Sequence, residues 1–71
     1  MKIRIKNDPC NMWHKDEIID ARELIDAYIG GLCPEEENDR DCIAMMNDPK
    51  YEEDAVQYAA EIWEIEWEEV K

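Results

Sequence analysis

The two ends of this 71-residue chain have the clearest periodicity in it, because apolar and charged residues alternate in residues 2–6 and again in residues 61–70. Alternation with a period of two is typical of β-strands that bury one face. If the ends pair, one face collects the apolar side chains Ile3, Ile5, Trp63, Ile65 and Trp67. The other face sets three cations against three anions, which are Lys2, Arg4, Lys6 and Glu64, Glu66, Glu68. Cross-strand pairs of this kind contribute roughly 0.2–1 kcal/mol each, so we predict a two-stranded ribbon made of the chain ends.

A long C-terminal helix is the alternative for the acidic end. Five apolar residues recur there at helical spacing, namely Val56, Ala60, Trp63, Trp67 and Val70. No Gly or Pro separates them from the preceding segment. Glu66 favours the strand, because a helix would place it inside the apolar stripe whereas a strand turns it towards water. A basic strand at residues 2–6 would also lack a partner if residues 62–70 were helical.

Three helices are predicted between the ends. The first begins at Asp16 and ends at a left-handed cap formed by Gly30-Gly31; its apolar stripe is Ile18, Ala21, Leu24, Ile25, Tyr28, Ile29 and Leu32. A short helix over residues 41–46 turns Cys42, Ile43, Met45 and Met46 inward. The third opens at Asp48-Pro49 and packs through Tyr51, Ala55, Tyr58, Ala59 and Ile62. The order β-α-α-α-β predicts a small α+β fold, with residues 1–71 as a single domain whose ribbon packs on the helices.

Charge is the dominant feature of the composition. Twenty acidic residues stand against eight basic ones, for a net charge of −12, and residues 7–71 alone carry −15. An excess of this size keeps a protein dissolved or prepares it to meet a basic partner. Direct binding of nucleic acid is not expected, because the only basic cluster lies in the first six residues and faces glutamates in the predicted ribbon.

Two segments concentrate the carboxylates. On the first predicted helix, Asp16, Asp20, Glu23 and Asp26 recur every three or four residues and so lie along one side. The second segment, residues 35–41, has acids at five of its seven positions: Glu35, Glu36, Glu37, Asp39 and Asp41. Acids near a helix N-terminus are favoured by the helix dipole, and charged runs commonly form a solvated face. These nine residues are the candidate partner-binding residues.

Catalytic and metal chemistry find little support in the sequence. Cys10, His14, Cys33 and Cys42 match a structural zinc site in number, but Cys-x8-Cys lacks the tight spacing that tethers two thiolates. No oxyanion hole or nucleophile motif accompanies them. We therefore expect neither an enzyme nor a bound metal or other cofactor.

Three cysteines, an odd number, are typical of free thiols in a reducing compartment. With no signal peptide or membrane span in the sequence, a cytoplasmic location without membrane contact is expected.

In its small size, strong acidity and lack of a catalytic motif, the chain resembles the acidic phage and mobile-element proteins that block host defences. These are anti-CRISPR and anti-restriction inhibitors that mimic DNA. The resemblance is one of overall character and no family motif carries it. It implies a partner with a basic surface, such as a CRISPR effector or a restriction enzyme, in the host cytoplasm if the protein is phage-encoded. The nine candidate acids would form the mimic surface.

A second interpretation is a non-catalytic interaction module or a toxin-neutralising protein. The apolar residues near Met12-Trp13, or the ribbon, would then bind the partner while the charge keeps the protein dissolved. Adaptation to high salt is a third interpretation, although nine isoleucines and a tryptophan-rich end argue against it. A homodimer is also open, because the outer edge of a two-stranded ribbon could pair with its copy.

Overall fold

Three strands, three α-helices and one 3-10 turn make up the computed structural model, which describes all 71 residues. In chain order they are β1 (Lys2–Asn7), β2 (Ile18–Asp20), α1 (Ala21–Gly30), α2 (Glu37–Met46), a 3-10 turn (Pro49–Tyr51), α3 (Glu52–Trp63) and β3 (Glu66–Val70). The α+β class is confirmed, as are the two terminal strands and the three helices between them. The short strand β2 is an addition that the sequence did not predict.

The chain ends form the predicted ribbon. β1 pairs antiparallel with β3, so that Ile5 lies opposite Trp67 and Arg4 lies opposite Glu68. The Arg4 guanidinium contacts the Glu68 carboxylate at 3.1 Å, and the Lys6 ammonium reaches the same carboxylate at 3.8 Å. Opposite charges therefore meet on the outer face, although Glu68 pairs with both Arg4 and Lys6 instead of each cation having its own glutamate.

The sheet has three strands in the order β2-β1-β3, which makes β1 its centre. The inner face of β1 carries Ile3 and Ile5, both fully buried. They join Ile19 and Ile65 in a core completed by one side of the helices: Ala21, Leu24, Ile25, Met46, Ala55, Val56, Ala59 and Ala60. Since the cations of β1 remain at the surface, the helices form one layer on the inner face and leave the outer face uncovered.

Two parts of the first predicted helix are wrong. Residues 18–20 form β2, with Ile18 half exposed and Ile19 only 4% exposed, which is strand alternation. Asp16 has φ of 67°, a left-handed conformation that no α-helix contains, so the helix starts at Ala21 with Asp20 as its N-cap. At the other end, Gly31 has φ of −89°, so the predicted left-handed cap is absent.

The second and third helices also differ from the prediction in detail. α2 starts at Glu37, four residues earlier than expected, because its first turn takes up part of the acidic run. α3 packs through its small residues Ala55, Val56, Ala59 and Ala60, which allow a close approach to α1. Four side chains predicted to be inward are exposed: Tyr51, Tyr58 and Ile62 in α3 and the turn before it, and Met45 in α2.

The helix also extends further into the acidic end than predicted, because Trp63 belongs to α3 and the strand starts only at Glu66. Glu64 separates the two elements with φ of 59° and ψ of 33°. Its N–H donates to Glu61 O at 3.3 Å, and the Ile65 N–H donates to Ala60 O at 2.8 Å. These two bonds form a Schellman motif, which usually places glycine where this chain has a glutamate.

Replacing Glu64 by glycine is therefore expected to stabilise the protein. A side chain in the left-handed region costs roughly 1–2 kcal/mol, and part of the gain is offset by the greater freedom of glycine in the unfolded chain. We expect Glu64→Gly to raise the free energy of unfolding by about 0.5–1 kcal/mol in urea titrations. Glu61→Gly, within α3, is the matched control and should lower it by about 1 kcal/mol. A lower stability of Glu64→Gly would contradict the cap.

Candidate partner-binding surface

Charge is divided unequally between the two layers of the fold. The three strands together hold three basic and four acidic residues, a net charge of −1. Residues 21–64, which contain all three helices and which we call the helical layer, hold thirteen acidic and three basic residues, a net charge of −10. Most of the negative charge of the molecule is therefore on the side opposite the basic strand.

The cations of β1 and α1 are engaged within the chain, whereas Arg40, which lies in α2 among the acids, forms no ion pair. Lys2 lies 3.9 Å from Asp20, and the other two cations of β1 contact Glu68. Arg22 of α1 donates from Nε to Asp26 Oδ1 at 2.8 Å and from Nη1 to the Met46 carbonyl at 3.3 Å. Its third bond goes to the Asn47 side chain. Arg22 thus ties α1 to the end of α2 and has little capacity left to attract an anion.

The predicted row of four carboxylates on the first helix does not form. Asp16 lies in a turn before β2, and Asp20 caps α1 by accepting from the Arg22 N–H at 2.9 Å. That hydrogen bond is the main reason that the pKa of Asp20 is lowered. Desolvation raises the pKa by a smaller amount, and the positive charges of the α-amino group and Lys2 lower it further. Of the four acids, only Glu23 and Asp26 lie on α1. Because Asp26 pairs with Arg22, Glu23 is the one without an ion pair in that helix.

The second acidic segment is presented as a group. Glu35, Glu36, Glu37 and Asp41 are exposed, and their side chains make no hydrogen bond or ion pair within the chain. Asp39 is half buried, and its Oδ2 accepts from the Cys33 N–H at 2.9 Å. This bond fastens the loop before α2 to the first turn of that helix. Four solvated carboxylates are thus held on a segment that the fifth one anchors.

Further acids lie at and before the start of α3, outside the nine candidate residues. Glu53 and Asp54 are exposed and have no ion pair. Glu52 lies 3.5 Å from the α-amino group of Met1, and Asp48 caps the 3-10 turn by accepting from the Lys50 N–H at 3.0 Å. The sequence signal for these residues was present, since acids commonly occupy the first turn of a helix.

The loop after β1 is organised by one buried carboxylate. Asp8 accepts three backbone hydrogen bonds, from Cys10 at 2.9 Å, Met12 at 2.8 Å and Trp13 at 3.0 Å. It is the one buried polar residue of the chain. The bonds hold the loop in a conformation that also needs a left-handed residue, Asn11, with φ of 58°.

Loss of the Asp8 carboxylate should be costly, because three donors would lose an ionised acceptor in a partly buried site. We expect Asp8→Ala to lower the free energy of unfolding by about 2–3 kcal/mol, measured by urea denaturation. Asp41→Ala, which removes an exposed carboxylate without partners, should change it by less than about 0.5 kcal/mol. Equal effects of the two substitutions would show that the loop does not depend on Asp8.

The residues considered for zinc are not assembled into a site. No group of three or more His, Cys, Asp or Glu side chains is placed to hold a metal ion. All three cysteines are free thiols, with Cys10 and Cys33 exposed. Cys42 lies 3.8 Å from the sulfur of Met46, within one turn of α2. These thiols therefore contribute to packing or face solvent.

One depression of about 200 Å³ is present, lined by Arg22, Met46, Asn47, Asp48, Pro49 and Glu52. It is smaller than the roughly 300–1,000 Å³ of typical small-molecule sites.

None of the three α-helices has the length and apolar character that a membrane span needs. The chain matches no protein-family model, no curated protein and no solved structure.

Proposed function

We propose that this protein is a non-catalytic inhibitor that blocks a nucleic-acid-binding defence complex, a CRISPR effector or a restriction enzyme, by DNA mimicry. The observation that carries the proposal is the separation of charge, with −10 in the helical layer and −1 in the strands. A cleft lined by Lys and Arg to receive phosphates attracts such a surface for the same electrostatic reason. The partner is therefore a basic protein surface in the cytoplasm, and neither nucleic acid nor a membrane is bound directly.

The density of charge is of the right order for a mimic. The molecule is 35 Å long and carries −12, which is about one net charge per 3 Å. Duplex DNA carries about one per 1.7 Å of its axis. The protein thus offers roughly half the linear charge density of DNA, which is enough for electrostatic steering towards a basic groove.

The acids are also held in place before binding. Asp39 fastens the loop at Cys33 to α2, and Arg22 fastens α1 to the end of α2. Side chains on anchored helices lose less freedom on association than those of a disordered acidic tail, so more of the interaction energy is available for affinity. This preorganisation distinguishes the helical layer from a merely acidic sequence.

The alternative is an interaction module or a toxin-neutralising protein whose charge serves solubility. The exposed apolar residues of α3, Tyr58 and Ile62, favour it, because a surface held by charge alone would not need them. In that case the partner would be a single small protein and DNA would not compete with it.

Capture of partners with the immobilised protein separates the two functions. Lysates of bacteria that contain CRISPR and restriction systems would be passed over the protein, and bound proteins identified by mass spectrometry. We expect recovery of a nuclease or a CRISPR effector that a high-salt wash releases. Recovery of one small basic toxin instead would contradict mimicry and support neutralisation.

A further inference from the structure

An apolar stripe runs along the solvent side of α3 and the turn before it. It consists of Tyr51, Tyr58 and Ile62, which are 37%, 47% and 50% exposed. Tyr58 and Ile62 are four residues apart and so lie on one face of α3. Tyr51 precedes that helix, at the end of the 3-10 turn. The core takes the neighbouring face instead, through Ala55 and Ala59. The stripe is therefore an apolar surface that the rest of the chain leaves partly exposed to solvent.

Tyr58, the central residue of this stripe, is supported from the adjacent helix. The Tyr28 ring of α1 meets Tyr58 edge to face at a centroid distance of 5.9 Å and meets Trp63 at 5.4 Å. Burial raises the pKa of Tyr28, and Tyr58 adds to the effect. A tyrosine held in one orientation can bury a large area on a partner with little further loss of freedom, which is the usual property of an interface anchor.

Acidic residues border the stripe on its solvent side. Asp54 precedes Tyr58 by four residues and Glu61 follows it by three, so both lie one turn from its side chain. Neither carboxylate forms an ion pair, and Glu61 receives only a 3.3 Å hydrogen bond from Gln57. An occupant of the stripe must therefore satisfy apolar and anionic groups side by side.

We propose that the stripe docks a basic amphipathic helix of a partner protein, with apolar side chains on Tyr58 and Ile62 and with Lys or Arg beside Asp54 and Glu61. A second copy of this chain is a poorer occupant, because it would bring a like-charged rim and a net charge of −12 against the same surface. A wholly apolar occupant would desolvate both carboxylates without pairing them. The inference rests on the proposed function for its basic partner, and adds to it a contact that salt does not screen.

The test uses a defined probe, a synthetic helical peptide of leucine and lysine with all leucines on one face. Its control is a peptide of the same composition in an order that has no apolar face. In titrations of the isotope-labelled protein followed by NMR, we expect the amphipathic peptide to shift signals of Tyr58, Ile62 and their neighbours. It should bind at least about tenfold more tightly than the control peptide at high salt, where charge contacts are screened.

The variant for this test is Tyr58→Ser with Ile62→Ser, and the matched control is Ile18→Ser, which alters an equally exposed isoleucine on the outer face of the sheet. The double variant should lose at least about tenfold in peptide affinity, with thermal melting showing that it remains folded. The control should bind like the wild type.

Three results would each overturn the proposal. They are equal binding of both peptides, NMR shifts confined to residues 35–41, and a homodimer in sedimentation that the double variant abolishes. If the stripe binds no amphipathic peptide, the protein should still compete with DNA for its target enzyme. If the protein is not a DNA mimic, it should fail to compete with DNA but still bind the peptide.

Discussion

Removal of residues 1–6 is expected to unfold the protein. These residues form nearly all of β1, the centre strand, so the deletion takes away the hydrogen-bonding partner of both β2 and β3. It also removes Ile3 and Ile5, both fully buried, and burial of each isoleucine contributes about 1.5–3 kcal/mol. Added to the lost strand pairing, this approaches the whole stability of a small domain, about 5–15 kcal/mol. Circular dichroism and tryptophan fluorescence should both show loss of the native signal.

Point substitutions on the same sheet give a control that leaves the chain length unchanged. Ile5→Ala should cost about 2–5 kcal/mol, because it opens a cavity beneath the helices. Ile18→Ala alters a half-exposed side chain on the outer face and should cost less than about 1 kcal/mol. A deletion variant whose melting curve matches that of the intact protein would rule out β1 as the centre of the sheet.

Neutralising the acidic segment before and within α2 is expected to weaken inhibition while preserving the fold. The variant replaces Glu35, Glu36 and Glu37 by Gln, and Asp39 and Asp41 by Asn. Asp39→Asn keeps an oxygen that can accept from the Cys33 N–H. Folding should be retained or improved, because self-repulsion falls. If each of the five charges contributes about 0.5 kcal/mol at the interface, binding should weaken by roughly 2–3 kcal/mol, or about 30- to 150-fold.

A smaller variant on α1 serves as the comparison. Glu23→Gln with Asp26→Asn removes two charges, one of which already pairs with Arg22. Its effect on inhibition should therefore be well below that of the five-residue variant. If the five-residue variant inhibits as well as the wild type at every salt concentration, the acidic segment is not the mimic surface, and the interaction-module alternative becomes the better account.

The ribbon was predictable because its information is local and repeated. Alternation in residues 2–6 predicted the buried face of β1, and alternation around Trp67 predicted the partly buried face of β3. Opposite charges matched the two strands to each other. The position of Glu66 also decided correctly against a long terminal helix. The boundary between α3 and β3 could not be predicted from the local pattern. α3 ends at a left-handed glutamate, Glu64, and glutamate is not a residue that usually marks such a cap.

The strand β2 could not be predicted, because it has only three residues and exists through its pairing with β1. Ile18 also fitted a helical stripe, and only tertiary contacts decide between the two patterns. The error in the start of α1 broke up the predicted row of Asp16, Asp20, Glu23 and Asp26. One wrong boundary was thus enough to break up one of the two candidate segments, by placing Asp16 and Asp20 outside α1.

The remaining features of the surface depend on which elements share a layer. Composition gave the total charge, and the exposed run from Glu35 to Asp41 was visible as such in the sequence. The difference in net charge between the helical layer, −10, and the strands, −1, could not be predicted from composition. It depends on the fold, which places the basic strand and the helices on opposite sides. The apolar stripe of α3 was interpreted as core, because a packed and an unpartnered helix face have the same periodicity.

Competition with DNA for a purified CRISPR effector or restriction enzyme tests mimicry most directly. Labelled duplex DNA and the protein would be titrated against the enzyme over a series of salt concentrations, with the wild type and the five-residue variant in parallel. We predict mutually exclusive binding, an affinity of the protein that falls steeply with salt, and a shallower salt dependence for the variant. A ternary complex of enzyme, DNA and protein, or inhibition unchanged by salt and by neutralisation, would contradict the account.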